Sequence, residues 1–213
     1  MTRYFISDLH FGHDSIVKWE RTRFNTVQEH DAYIADCFCK WAKKLTPQDE
    51  FWVLGDWGNT SYLYLLDMLN CHKVFVYGNH DAASDYEKFC CYFDEVYRYP
   101  IFISDKLVIS HIPVAVYPDM LNVHGHLHSV YLRDDNHVSV SINDMNYSLF
   151  SEKSLSGIWA KLPKYNRRFL WEPFAADMVF KHDREDIVMN KDGLIDLPAS
   201  RVIQKMNREK ENR

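Results

Sequence analysis

The sequence predicts an α/β domain in which buried strands alternate with helices. Short apolar runs of strand length, such as residues 51–54, are separated by segments whose apolar residues recur every three or four positions. Five of the strand candidates also end in polar side chains of the kinds that bind metal ions. Because ligand sites of α/β sheets gather at the carboxyl ends of strands, we expect these five ends to converge on one site.

The clearest single element is a helix predicted over residues 27–44. Thr26 is a helix-capping residue, and Glu29 three positions later completes a capping box. Ile34, Phe38 and Trp41 then share one apolar face. Weaker patterns predict short helices at 63–69 and 84–92. Strands are predicted at 3–7, 51–54, 73–77, 95–103, 106–110, 120–124 and 137–142, with a loop from residue 8 to residue 25.

Composition sets the class of protein. A chain of 213 residues with 46% hydrophobic and 26% charged residues is an ordinary globular protein with a sizeable core. We assign residues 1–162 to one domain and residues 163–213, where the pattern weakens and the last stretch is basic, to a C-terminal extension. The net charge of −5 argues against a general electrostatic grip on nucleic acid or on an anionic membrane.

Cysteine usage and hydropathy predict a cytoplasmic location. The five cysteines form no C-x-x-C pair and are interpreted as reduced thiols. The chain shows neither a signal peptide nor an apolar run of membrane-spanning length. We therefore expect no membrane partner, and the sequence leaves the oligomeric state open.

The polar residues at the five strand ends carry the functional signal. They are Asp8 with His10, Asp56, Asn79 with His80, His111, and His126 with His128. Taken singly, the shorter motifs are common in turns and loops. The run H-G-H-L-H is harder to explain without a metal ion, because it places three imidazoles within five positions.

Together these motifs resemble those of a known family. The stretches D-L-H, G-D, G-N-H-D, S-H and G-H-L-H are similar, in this order, to the five motifs of the calcineurin-like metallophosphoesterase superfamily. The opening S-D-L-H-F-G-H resembles its small bacterial and phage members, and the resemblance spans residues 3–150. It implies a four-layer α/β/β/α sandwich with two mixed β-sheets and a metal-dependent phosphoric ester hydrolase that acts through a metal-bridging hydroxide.

The same resemblance implies a ligand set for two divalent metal ions. Asp8, His10 and His128 would bind the first ion, and Asn79, His111 and His126 the second. Asp56 would bridge them. Mixed nitrogen and oxygen ligands suit Mn²⁺, Fe, Zn²⁺ or Ni²⁺ better than Mg²⁺ or Ca²⁺, and we favour Mn²⁺.

Catalytic and substrate-contacting roles are assigned in the same way. His80 would face the substrate and assist the leaving group, with Asp81 holding its other ring nitrogen. Candidates for contact with the substrate are His13, Arg21, Arg23 and Trp57, the last either lining the pocket or packing in the core. His124 matches no ligand of the family and is expected to pack behind the site.

The motifs do not select the substrate. Acidic net charge and modest size favour a small phosphodiester or a nucleotide, so nucleic acid would be a substrate only as a short or nucleotide-type molecule. A phosphomonoesterase or nucleotide phosphatase is the alternative, followed by a catalytically idle binding scaffold. A metallo-β-lactamase pattern fails because Ser129 and Val130 follow His128, and a structural zinc site would be cysteine-rich.

Overall fold

Two β-sheets pack face to face in the computed structural model, which describes residues 1–128, 130, 132 and 134–162. The extension predicted at 163–213 lies outside the described residues. The strands are β1 Arg3–Ile6, β2 Glu50–Leu54, β3 His72–Val76, β4 Glu95–Tyr97, β5 Ile101–Ser104, β6 Leu107–Ile109, β7 Leu121–His124, β8 His137–Ser139 and β9 Phe150–Ser151.

Both sheets are mixed. The first has the order β4-β3-β2-β1-β9, in which β1 to β4 run parallel and β9 pairs antiparallel with β1. The second has the order β5-β6-β7-β8, in which β5 is antiparallel to β6 and the other pairs are parallel. The predicted α/β fold with two mixed sheets is therefore confirmed.

Helices accompany the first sheet. They are α1 Asp14–Trp19, α2 Val27–Lys44, α3 Tyr86–Tyr92 and α4 Leu155–Trp159. The prediction for α2 is confirmed at both ends, and Thr26 Oγ1 accepts a hydrogen bond from Glu29 N at 3.1 Å. The Glu29 carboxylate accepts from Asn25 N at 2.9 Å, one residue before the expected capping partner. No described helix is both long enough and apolar enough to cross a bilayer.

The core has two parts, one on each face of the first sheet. Phe51 and Val53 of β2 point toward α2, whereas Trp52 and Leu54 point toward the second sheet. Both faces of β2 are apolar because both are covered, as is typical of parallel strands. The outer face of the second sheet contributes Val108, which packs on the segment 114–120.

Several elements differ from the sequence prediction, and β9 and α4 were not predicted. The strand predicted at 95–103 is two strands, because β4 joins the first sheet and β5 the second. Pro100 lies between them and cannot donate to a sheet ladder. The predicted helix at 63–69 is a 3₁₀ helix, Thr60–Met68, and the six-residue α1 interrupts the predicted loop, being too short to show a period.

A short link joins the two sheets beyond the end of β1. Ser7 N donates to Val140 O, and Ile142 N donates to Ser7 O, each at 3.0 Å. The strand predicted at 137–142 is therefore divided. Its first residues form β8, which ends at Ser139, and Ser141 pairs with Ser7 instead. This link brings the loop after β1 beside the loop after β7.

Candidate metal centre

The loops after five strands meet at one edge of the two sheets. Asp8 and His10 follow β1, Asp56 follows β2, Asn79 follows β3, His111 follows β6, and His126 and His128 follow β7. The contacts described below bring all seven predicted ligands into one cluster.

One half of the cluster contains Asp8, His10, Asp56 and His128. Each offers one ligand atom, and these four atoms lie within 4.8 Å of one another. Nε2 of His128 lies 3.2 Å from Nε2 of His10 and 3.5 Å from Oδ1 of Asp8. Asp8, His10 and Asp56 are buried, so their donor atoms are sheltered from bulk water.

The other half contains Asn79, His111 and His126. Oδ1 of Asn79 lies 2.9 Å from Nε2 of His111 and 2.9 Å from Nδ1 of His126. Nε2 of His111 is also 3.4 Å from Oδ2 of Asp56. This group offers ring nitrogens and a neutral amide oxygen around a single carboxylate.

Asp56 lies between the two halves. Its Oδ2 atom is 3.4 Å from Nε2 of His10 and 3.4 Å from Nε2 of His111, and its Oδ1 accepts from His80 N at 2.9 Å. Oδ2 is buried and has no hydrogen-bond partner among the described residues. A buried carboxylate oxygen without a hydrogen bond is costly, and a cation, either a protonated His111 or a metal ion, would compensate for it. The mixed nitrogen and oxygen donors suit a first-row divalent metal ion.

Electrostatics keep the two carboxylates charged. Burial would raise the pKa of Asp8, but the neighbouring rings of His128 and His111 hold that pKa well below its usual range. Burial lowers the pKa of His10 to about 3. Burial also opposes a charged His111, but the carboxylates of Asp56 and Asp8 outweigh burial and raise the pKa of His111 to about 9. The cluster therefore attracts positive charge.

The backbone at the cluster is strained. Seven described residues other than glycine have a positive φ, and five of them are predicted ligands. These five are Asp8 (φ 59°), His10 (51°), Asp56 (55°), His126 (70°) and His128 (51°). Such conformations cost on the order of 1–3 kcal/mol each and persist where the surrounding structure enforces them, as at functional sites. Aspartate and histidine are among the residue types, other than glycine, that adopt this region most often.

Gly78 allows Asp56 and the loop after β3 to approach each other. A Cβ atom at Gly78 would lie 2.2 Å from Asp56 Oδ1 and 2.5 Å from Asp56 N. We expect Gly78→Ala to displace the Asp56 carboxylate and to lower any metal-dependent hydrolysis by about tenfold or more, since misplacing a reacting group by about 1 Å costs up to about 100-fold. Gly157→Ala, at a position with no atom within 4 Å of the new Cβ, is the control. Unchanged activity in Gly78→Ala would contradict this packing.

His80 and His13 lie beside the cluster. The His80 ring is exposed, with its centroid 5.3 Å from the ring of His10 and 5.5 Å from that of His13. Nδ1 of the half-buried His13 is 3.2 Å from Nδ1 of His10. Both rings therefore stand where a molecule approaching the cluster would pass.

The prediction that Asp81 holds the ring of His80 is not met. Asp81 is buried, and its Oδ2 accepts from Asp56 N at 2.8 Å and from Gly78 N at 2.7 Å. Its Oδ1 accepts from Trp57 N at 2.9 Å. Burial and the nearby Asp56 raise the pKa of Asp81 to about 7. Asp81 thus ties the loop after β2 to the loop after β3.

Trp57 is a core residue and not a pocket residue. It is 0% exposed and packs against Phe11, Phe38 and Phe93. The suggestion that Trp57 contacts the substrate is therefore wrong, because its ring is enclosed between the first sheet and α2.

The two arginines predicted to contact phosphate have other contacts. Arg21 is 2% exposed and donates to the backbone oxygens of Asp8 and Leu9, the latter at 2.9 Å. The guanidinium of Arg23 is exposed and stacks on three rings, with distances of 4.6, 4.4 and 4.1 Å to the centroids of Phe24, Tyr33 and Tyr147. The phosphate role predicted for Arg21 is wrong, and Arg23 contacts aromatic rings and not the cluster.

His124 packs behind the site, as its mismatch to the family motif indicates. It is buried, its Nδ1 donates to Gly125 O at 2.8 Å, and its ring lies 5.8 Å from that of His137. Burial lowers the pKa of His124 to about 4, so the ring is neutral.

Sequence reasoning missed Glu20. Its carboxylate contacts Nδ1 of His128, across 108 positions of the chain. Glu20 follows α1 in a segment without periodicity or motif, so nothing in the sequence marks it.

Comparison with known proteins adds independent evidence. A sequence model of a protein family described as calcineurin-like phosphoesterase matches residues 1–195. An uncharacterized protein of Methanocaldococcus jannaschii is 28% identical over 159 residues, which cover 68% of this chain and 83% of that protein. A solved structure of a protein of unknown function from Aquifex aeolicus has a TM-score of 0.58 and 26% identity. The match covers 74% of this chain and 98% of that one. A structure described as a novel archaeal phosphodiesterase has a TM-score of 0.43 and 12% identity, and the match covers 71% of this chain and 98% of that one.

Proposed function

Because the chain belongs to the calcineurin-like phosphoesterase family, we propose that it hydrolyses a small phosphodiester or a nucleotide with the help of two divalent metal ions. The observation that carries this proposal is the position of Asp56. Its buried Oδ2 accepts no hydrogen bond from the described residues and lies 3.4 Å from a ring nitrogen of each half of the cluster. A carboxylate oxygen in this position could serve as a ligand of two cations at once.

Two ligand sets follow from this position. We propose that Asp8, His10 and His128 hold one ion and that Asn79, His111 and His126 hold the other, with Asp56 common to both. Two such ions, when bound, would lower the pKa of a water molecule and neutralise charge on the phosphoryl oxygens. Mn²⁺ is the favoured ion, and Fe, Zn²⁺ and Ni²⁺ are the alternatives.

His80 is the proposed proton donor to the leaving group. Its ring is exposed beside His10, and its backbone N–H holds Oδ1 of Asp56 at 2.9 Å. One residue thus orients the shared carboxylate through its backbone and presents a titratable ring to the substrate. His13 flanks the same ring and is the proposed contact to a phosphoryl oxygen.

The preference for a diester rests on charge. The chain carries a net charge of −5, and the two arginines predicted to contact phosphate have other contacts. A diester carries one negative charge at neutral pH and needs less positive charge around it than a doubly charged monoester. A phosphodiesterase is therefore the favoured proposal, with a phosphomonoesterase as the alternative, and the cytoplasmic location stays a prediction.

Hydrolysis of two artificial esters tests the proposal. Protein loaded with Mn²⁺ is expected to cleave bis(p-nitrophenyl) phosphate faster than p-nitrophenyl phosphate, and a chelator should abolish both reactions. The reverse preference would support the monoesterase. Cleavage of neither ester by protein that carries two equivalents of metal would support a binding scaffold.

His80→Asn separates the proton donor from the metal ligands. We expect the rate constant for the diester to fall about 100-fold or more, as is typical when a general acid is removed, while two equivalents of Mn²⁺ still bind. The control is His72→Asn, an exposed histidine that pairs with Glu95 at the opposite edge of the sheet. Full activity in His80→Asn would contradict the assigned role.

A further inference from the structure

We propose that Glu20 is a positioning residue that fixes the ring tautomer of His128 and thereby strengthens the metal position formed by Asp8, His10 and His128. The inference rests on the proposed two-metal function and concerns how the two positions differ. Glu20 follows α1, the helix that begins directly after His13, so one short element brings two side chains to the cluster.

In the hydrogen bond between Glu20 and His128, the histidine is the donor and the carboxylate is the acceptor. A carboxylate accepts hydrogen bonds and donates none, so Nδ1 of His128 carries the proton that Glu20 Oε2 accepts. A neutral imidazole has one donor and one acceptor, which leaves the lone pair on Nε2. Nε2 is the atom that lies 3.2 Å from Nε2 of His10 and 3.5 Å from Asp8 Oδ1. Glu20 therefore directs the free lone pair toward the cation position.

The other proposed histidine ligands lack a carboxylate partner on the nitrogen that points away from the cluster. Nδ1 of His111 contacts the backbone oxygen of Leu54 at 2.8 Å, and Nδ1 of His10 contacts the ring of His13 at 3.2 Å. Nδ1 of His126 is the atom that faces Asn79. Within the described part of the chain, only His128 among these four ligands has a carboxylate hydrogen-bonded to the nitrogen that points away from the cluster.

The two positions consequently differ in charge. Three carboxylates, from Asp8, Asp56 and Glu20, surround the position that includes His128. Of these, only Asp56 lies against a ring nitrogen of the position that includes Asn79, whereas Asp8 reaches it only by accepting from the backbone N–H of His126 at 3.0 Å. A second carboxylate behind a histidine ligand orients the ring and adds attraction for the ion. We therefore expect the first ion to bind the Asp8 side more tightly and the second ion to exchange more readily.

Titration of metal-free full-length protein with Mn²⁺ by calorimetry tests the inference. In Glu20→Gln we expect the tighter of two binding events to weaken by roughly tenfold, the lower end of the effect of such outer partners, while the weaker event is unchanged. Glu152→Gln removes the same charge from a partly exposed carboxylate bound to Arg3, at the opposite end of β1, and should match the parent protein.

A second measurement reports the tautomer itself. Long-range ¹H–¹⁵N spectra of histidine rings in the Zn²⁺-loaded protein should show His128 protonated at Nδ1, and Glu20→Gln should shift that signal while Glu152→Gln leaves it in place. Equal affinity in Glu20→Gln and the parent protein, or equal weakening of both events, would overturn the role of Glu20. Binding of fewer than two ions by the parent protein would instead overturn the two-metal function.

Discussion

Replacing Asp56 with asparagine is expected to lower the rate of ester hydrolysis by about 1000-fold or more and to leave at most one tightly bound Mn²⁺. The reason is that Oδ2 of Asp56 is the carboxylate oxygen close to both halves of the cluster. Metal ions contribute several kcal/mol of charge stabilisation to the transition state, and each 1.36 kcal/mol corresponds to a factor of ten in rate. Metal analysis and initial rates on the diester measure the two effects.

The same substitution should not unfold the metal-free protein. Asparagine has the shape of aspartate and tolerates the left-handed backbone found at this position, where φ is 55°. It does remove the carboxylate charge that pairs with His111 and raises the pKa of that ring. We therefore expect the midpoint of thermal unfolding without metal to fall while the protein stays folded, and Asp85→Asn, outside the cluster, to keep full activity. Normal binding of two ions by Asp56→Asn would contradict the assignment of the shared ligand.

The sequence predicts the centre well because strand ends are visible in it. The buried strands β1, β2, β3, β6 and β7 each appear as a short apolar run, and their carboxyl ends carry the polar residues. Polar side chains at such ends converge once the strands pair in parallel. The long helix α2 is equally visible, since 18 residues give several repeats of its period and a capping residue marks its start.

The residues that hold the ligands and their loops in place cannot be recognised in the sequence in the same way. Glu20 contacts His128 across 108 positions, and Asp81 accepts hydrogen bonds from backbone groups 24 and 25 positions earlier. Such contacts depend on how loops fold over one another and leave no period or motif. The prediction for Arg21 failed for this reason. An arginine near a phosphoesterase loop suggests contact with phosphate, and only the fold shows that Arg21 is buried.

We expect Arg21→Met to destabilise the protein by about 3 kcal/mol or more, because each buried acceptor left without a donor costs roughly 1–3 kcal/mol. The Arg21 guanidinium donates to Asp8 O and Leu9 O, to Asn143 Oδ1 at 2.8 Å, and to His30 Nε2 at 2.5 Å. Methionine keeps much of the volume but leaves these acceptors without donors. Urea unfolding of the metal-free protein measures the loss, and the affinity for the first Mn²⁺ should fall with it, because two of these acceptors belong to the loop that carries Asp8.

Arg23→Met is a matched control, since both arginines lie in the segment after α1 and both were candidates for phosphate contact. Arg23 is exposed and its guanidinium lies 4.1 Å from the ring centroid of Tyr147, an arrangement worth about 0.5–1 kcal/mol at exposed sites. We therefore expect the Arg23 variant to lose little stability and no metal affinity. Similar destabilisation in the two variants would contradict the buried network. A raised KM for the diester in either variant, without a change in unfolding, would instead indicate that this arginine contacts the substrate.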